Sequence, residues 1–308
     1  MPDSLYTLTL ESPFAEVSDA YSRRYDYYEN ILAYATEPEE VPTERTYGVE
    51  LEFNPRGGRQ KFVESINAVF AGCPHFFVKN DGSISDDGGE IVTTPRTLSA
   101  HNEMFSLVEQ HAAGFRASAV CGFHVHAPVP NNLFTTARVY QFIMSPALAA
   151  FVTAIAQRHP NEYCYRAGSA FIGLQASAAT KWASLARADH SGAFTFSGKG
   201  TVEFRMFAAR TRRYLLSSYV EFADAILTFC TTRSIPSHPG LALDGVIPVF
   251  GAFIVFVLAD AARYPNLAYR LKLPAMRAVI DQTLKSTAAF DNSLFRKLLT
   301  VDATNGSM

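Results

Sequence analysis

Gly48-Val49-Glu50-Leu51-Glu52-Phe53 alternates apolar and acidic residues at the period of a β-strand. Such a strand turns Val49, Leu51 and Phe53 to one side and Glu50 and Glu52 to the other. The apolar side can pack on a core while the carboxylates point together into a cleft. Like charges so placed repel unless a cation lies between them, and hard carboxylate oxygens suit Mg2+ or Mn2+. A strand face simply solvated by water is the alternative reading of this stretch taken alone.

Other stretches repeat the pattern. Gly88-Gly-Glu-Ile-Val-Thr-Thr-Pro95 puts Glu90 on a short strand behind two glycines, which let a ligand or another chain approach the backbone. The alternative there is a hairpin with an edge glutamate; Asp81 and Ser83 before it read as turn formers. In Cys121-Gly-Phe-His-Val-His126, His124 and His126 share a strand face, an arrangement suited to metal or phosphate, although a lone core histidine is the usual explanation for one such residue. In Thr201-Val-Glu-Phe-Arg-Met-Phe207, Glu203 and Arg205 share a face with Val202, Phe204 and Met206 opposite, which an ordinary cross-strand ion pair would also explain. Polar faces like these are expensive to bury together without a cation and anionic substrates to compensate them. Among the remaining basic residues, Arg158, Arg166 and Lys181 join Arg205 as candidates for binding phosphate or carboxylate.

The bulk composition narrows the class. The 308 residues are 48% hydrophobic and 18% charged, an ordinary globular balance with enough chain for a sizeable core. A net charge of -2 supplies no basic field, which argues against nucleic acid as an obligate partner. The cysteines, Cys73, Cys121, Cys164 and Cys230, form no C-x-x-C pair, so reduced thiols and a cytoplasmic location are expected. The N-terminus does not resemble a signal peptide. Val246–Ala259 is shorter than the roughly 20 residues of a spanning helix and reads as a buried one, so no membrane segment is expected.

Strands and helices alternate early and helices dominate late, so the expected class is α+β. Expected elements are a strand at Thr46–Phe53, a helix at Arg59–Ala71, strands at Phe76–Lys79 and Gly89–Thr94, and a helix at Leu98–Ala113. A strand at Ala119–Pro128, one long helix at Thr135–Arg158 and strand character over His190–Phe207 follow, with helices from Leu215 to about Leu299. The expected organisation is an N-terminal arm (1–45), a catalytic core (46–230) and a helical C-terminal extension (231–308) packed on the same domain.

The order G-x-E-x-E, G-G-E-I-V-x-x-P, C-G-x-H-V-H, x-V-E-F-R resembles the amidoligase family, of the glutamine synthetase and glutamate–cysteine ligase superfamily. Gln157-Arg-His-Pro-Asn-Glu-Tyr-Cys164 is similar to that family's arginine-asparagine-tyrosine-cysteine segment, and Lys181-Trp182 to its lysine–aromatic pair. The resemblance implies a glutamine synthetase-like domain: a curved, mainly antiparallel sheet lined by metal-binding residues, with helices on its outer face. It implies an ATP-dependent carboxylate–amine ligase using Mg2+ (or Mn2+), a small-molecule or peptide carboxylate and an amine.

Residue by residue, Glu50, Glu52, Glu90 and Glu203 match the metal-binding glutamates, and His124 the histidine serving the ATP-side metal. His126 falls near phosphate, and Arg205 matches the arginine that steadies the transferred phosphoryl group. Where family members carry a second carboxylate near Glu90, this sequence offers only Asp86 and Asp87 in the preceding loop. Two other readings compete: a catalytically degenerate binder of nucleotide or metal on the same fold, and a metal-dependent hydrolase. The sequence names neither the acid nor the amine, and it specifies no oligomer contact.

Overall fold

The computed structural model describes residues 44–57, 59–72, 76–79, 84, 88–118, 120–128, 133–160, 192–196, 201–232 and 243–285. They fall into two compact units, one drawn from 1–129 and 195–220, the other from 130–194 and 221–308. In this division residues 130–194 group with 221–308.

The first unit is built on strands β1 (Gly48–Pro55), β2 (Phe76–Lys79), β3 (Gly89–Thr93), β4 (Phe115–Arg116), β5 (Gly122–Pro128), β6 (Phe194–Phe196) and β7 (Thr201–Ala208). They form one sheet in the order β2-β3-β1-β5-β7-β6, with β4 also paired to β1. The pairs β2–β3, β3–β1, β1–β4, β1–β5 and β5–β7 are all antiparallel, so the chain is an α+β protein with a mostly antiparallel open sheet.

One side of the sheet is a core, as the alternation of β1 requires. Val49, Leu51 and Phe53 are buried there together with Phe123 and Val125 of β5. Helix α1 (Arg59–Gly72) brings Phe62 to within 5.5 Å of Phe53, and Phe115 of β4 completes the cluster at 5.2 Å from Phe53. Gly114 lets the turn before β4 lie against α1, because a Cβ there would meet Ser65 Oγ at 2.4 Å and the Lys61 carbonyl at 2.8 Å.

Helix α2 (Leu98–Gln110) is capped by Thr97, whose hydroxyl accepts the Ala100 amide. It buries His101, Met104, Phe105 and Val108 at the spacing of one helical face. His101 Nε2 lies 2.6 Å from the Tyr47 carbonyl and Phe105 packs on Phe123. Helix α5 (Arg213–Thr232) adds Tyr219, stacked 4.6 Å from Phe207.

The second unit is helical. Its elements are α3 (Leu133–Met144), α4 (Ala149–Ala156), the later turns of α5, α6 (Leu243–Ala259), α7 (Pro265–Lys272) and α8 (Pro274–Lys285). The single helix expected over Thr135–Arg158 is therefore two. Pro146 lacks an amide and cannot continue the ladder, so the chain turns through Pro146–Leu148 before α4. Helix α4 ends at Gln157, in the left-handed conformation with φ 53°. Helix α6 buries Phe250, Phe253, Ile254 and Val257 as one stripe. No single helix among the described residues is long and apolar enough to cross a membrane.

Candidate metal centre

The other side of the sheet collects the charged residues. Register places Glu50 of β1 opposite His124 of β5, Glu52 opposite Glu90 of β3, and His126 opposite Glu203 of β7. Glu90 in turn lies opposite Lys79 of β2. Antiparallel partners share a face, so the period-two pairs of β1, β5 and β7 converge on one surface together with Glu90 of β3.

A bulge in β7 bounds this surface. Phe123 pairs with Phe207 but Val125 pairs with Phe204, so β7 carries one more residue than β5 over this interval. Strict alternation would put Phe207 beside Glu203 on the charged side. The extra residue returns Phe207 to the core, where it stacks on Tyr219, and leaves Glu203 and Arg205 opposite.

Side-chain distances show how closely the groups approach. His124 Nδ1 lies 3.1 Å from Glu50 and 3.5 Å from Glu203, while its Nε2 lies 3.4 Å from Glu52. His126 Nε2 lies 3.3 Å from Glu50 and 3.9 Å from Glu203, and Arg205 Nη1 donates to Glu203 Oε1 at 2.5 Å. Glu52, Glu90, His124 and Glu203 are buried, whereas the side chains of Glu50, His126 and Arg205 are 19%, 22% and 24% exposed and form the rim.

The electrostatics follow from this crowding. Burial would raise the Glu50 pKa, but the charge of His126 and hydrogen bonds from both imidazoles hold it well below the usual carboxylate range. Burial would lower both histidines. The hydrogen bond to Glu50 and the Glu203 and Glu52 charges raise His124 instead, and Glu50 and Glu203 raise His126 to about 9. The face is thus a concentrated negative field that draws positive charge, whether protons or metal.

Glu50, His126 and Glu203 can each offer a ligand atom within 4.8 Å of the others, close enough to surround one ion. His126 Nε2 is buried and has no well-aligned hydrogen bond, whereas both nitrogens of His124 face carboxylates, Nδ1 as a hydrogen-bond partner of Glu50. The donor set of carboxylates and imidazole suits a divalent cation. The cluster close enough to surround one ion includes His126, while His124 lies between the carboxylates of Glu50, Glu52 and Glu203.

The remaining expected residues divide. Arg158 lies just beyond α4 in the second unit, and Arg166 and Lys181 lie outside the described residues, as do Asp81, Ser83, Asp86 and Asp87. One participant escaped motif reading: the Gly122 backbone amide donates to Glu52 Oε2. A main-chain donor has no side-chain signature, and only the glycine in C-G-x-H-V-H hinted at it. Compared with protein-family models and with curated proteins, the chain matches none at a significant level.

Proposed function

We propose that the chain is an ATP-dependent carboxylate–amine ligase with a glutamine synthetase-like catalytic sheet, akin to the amidoligases. The observation that carries the reading is the convergence of Glu50, Glu52, His124, His126, Glu203 and Arg205 on one sheet face. Glu50, His126 and Glu203 would hold Mg2+ or Mn2+, with Glu52 and Glu90 as a second carboxylate pair. An ion held there would supply charge to neutralise phosphate oxygens during transfer.

A free carboxylate is a poor electrophile, because its charge opposes an attacking amine. In the proposed reaction its oxygen bonds to the γ-phosphorus of ATP and ADP departs. The amine then attacks the acyl carbon, loses a proton and expels inorganic phosphate. The protein's part is positioning and charge. Arg205, anchored at one nitrogen by Glu203, presents the rest of its guanidinium fork to the transferred group. His124 holds three carboxylates in place around it.

A second reading, a nucleotide or metal binder without turnover, draws on the ion pairs already linking Glu50, His126, Glu203 and Arg205. Calorimetric titration with a non-hydrolysable ATP analogue, with and without Mg2+, tests both. The ligase reading expects Mg2+-dependent binding that Glu203→Gln abolishes, followed by ADP release when acid and amine pairs are screened. Binding without ADP release for any pair favours the silent binder. Nucleotide binding that ignores both metal and Glu203→Gln overturns the site.

A further inference from the structure

β1 does not meet an unbroken neighbour on the β5 side. Leu51 pairs with Phe123 and Asn54 with Arg116, so three steps along β1 face seven along the partner chain. The surplus loops out between β4 and β5, leaving Glu52 and Phe53 opposite a gap in the ladder. Side chains close it. Glu52 Oε2 accepts the Gly122 amide, and Asn54 Nδ2 donates to Ser118 Oγ at 3.0 Å and to Cys121 Sγ at 3.2 Å.

Asn54 is 6% exposed and lies two residues from Glu52, on the same face of β1. The turn it grips is closed by the Cys121 amide on the Ser118 carbonyl and by a contact of 3.1 Å between Ser118 Oγ and Cys121 Sγ. Gly122 follows directly, so whatever fixes this turn fixes the donor to Glu52. With Oε2 tied to the backbone, Glu52 has Oε1 left for the charged face, 3.4 Å from His124 Nε2.

We propose that Asn54 is a positioning residue: through Ser118 and Cys121 it holds the Gly122 amide on Glu52, and so fixes which carboxylate oxygen Glu52 turns toward the metal centre. Its consequence for metal rests on the cation site proposed above. The latch itself is a property of the metal-free protein. Outer hydrogen-bond partners of this kind change metal affinity by about 10- to 100-fold.

The experiment uses full-length protein labelled with 15N-glycine. Amide exchange of Gly122 is followed in the wild type, Asn54→Leu and Ser118→Ala, with other protected glycine amides as the internal reference. Asn54→Leu is expected to speed Gly122 exchange at least about tenfold relative to the reference, with Ser118→Ala in the same direction and smaller. Unchanged Gly122 exchange in a folded Asn54→Leu or Ser118→Ala overturns the latch.

Mn2+ titration of the same proteins, with Glu52→Gln and the double variant Asn54→Leu/Glu52→Gln, reads the consequence. Asn54→Leu should weaken Mn2+ binding about tenfold alone and not further in the Glu52→Gln background. Equal losses in both backgrounds mean a general structural role and overturn the positioning. Wild-type protein that keeps the Gly122 result but binds no Mn2+ would refute the cation site and the metal consequence, leaving the latch.

Discussion

The two units both bury charge, and they use it differently. In the helical unit Glu221, Asp224 and Arg270 are spent on a chain end or a turn. Glu221 of α5 accepts from the Asn266 and Leu267 amides and from Asn266 Nδ2, capping the start of α7. Asp224, one turn on, accepts from Arg263 Nε and the Tyr264 hydroxyl, both at 2.9 Å. Arg270 donates to the Ala154 and Ile155 carbonyls at the end of α4, where the helix dipole favours a cation. In the sheet unit the carboxylates and imidazoles face one another, with His126 Nε2 3.3 Å from Glu50 and 3.9 Å from Glu203. Buried charge paired to chain ends and turns is architecture; the buried charge gathered on the sheet is the proposed site.

Breaking the architecture should cost stability and spare the site. Asp224→Ala strands the Tyr264 hydroxyl and half-exposed Arg263, and should destabilise by about 3 kcal/mol in urea unfolding. The folded fraction should bind Mn2+ as the wild type does. A loss below about 1 kcal/mol would mean the clamp is no stronger than a surface pair.

The core side of the sheet gives a contrast driven by pH. Burial lowers the pKa of His101 from 6.5 to about 4, despite the acceptor at the Tyr47 carbonyl, and its Nδ1 has no hydrogen-bond partner among the described residues. The unfolded chain therefore takes up the proton first. Stability from this group is present above pH 6.5 and is lost as pH falls through about 4. Between about pH 7 and pH 4 the loss should be about 3 kcal/mol, read as the difference in pH slope between wild type and His101→Leu. Parallel slopes would show that His101 is not held neutral.

The smallest effect is expected at Glu221. Glu221→Gln keeps one acceptor for the start of α7 but turns an amide group toward its remaining donors, for a cost of about 1 kcal/mol in urea unfolding. A cost as large as that of Asp224→Ala would make the cap, rather than the Arg263 clamp, the main tie.

The same contrast explains what the sequence could show. Period-two alternation reveals paired Glu50 and Glu52, or His124 and His126, because a strand maps spacing directly onto a face. Register then carried these faces together, which no single strand encodes. The bulge in β7 was not legible, since nothing in Glu203-Phe-Arg-Met-Phe207 announces an extra residue until Phe207 must return to the core. Which imidazole falls in the cluster with Glu50 and Glu203 depended on ring directions across three strands. The break between α3 and α4 falls at Pro146, inside an apolar pattern that continues on both sides. Glu221 and Asp224 passed unnoticed because their partners lie about 40 residues on, at positions 263–267.

The charged face of the sheet is proposed to hold a divalent cation through Glu50, His126 and Glu203. Mn2+ titration followed by electron paramagnetic resonance tests it most directly, on wild type, Glu203→Gln and Asp224→Ala. The account predicts saturable Mn2+ binding that Glu203→Gln weakens about 100-fold or more, and that Asp224→Ala leaves unchanged in the folded protein. No binding by the wild type, or equal binding by Glu203→Gln, would contradict it.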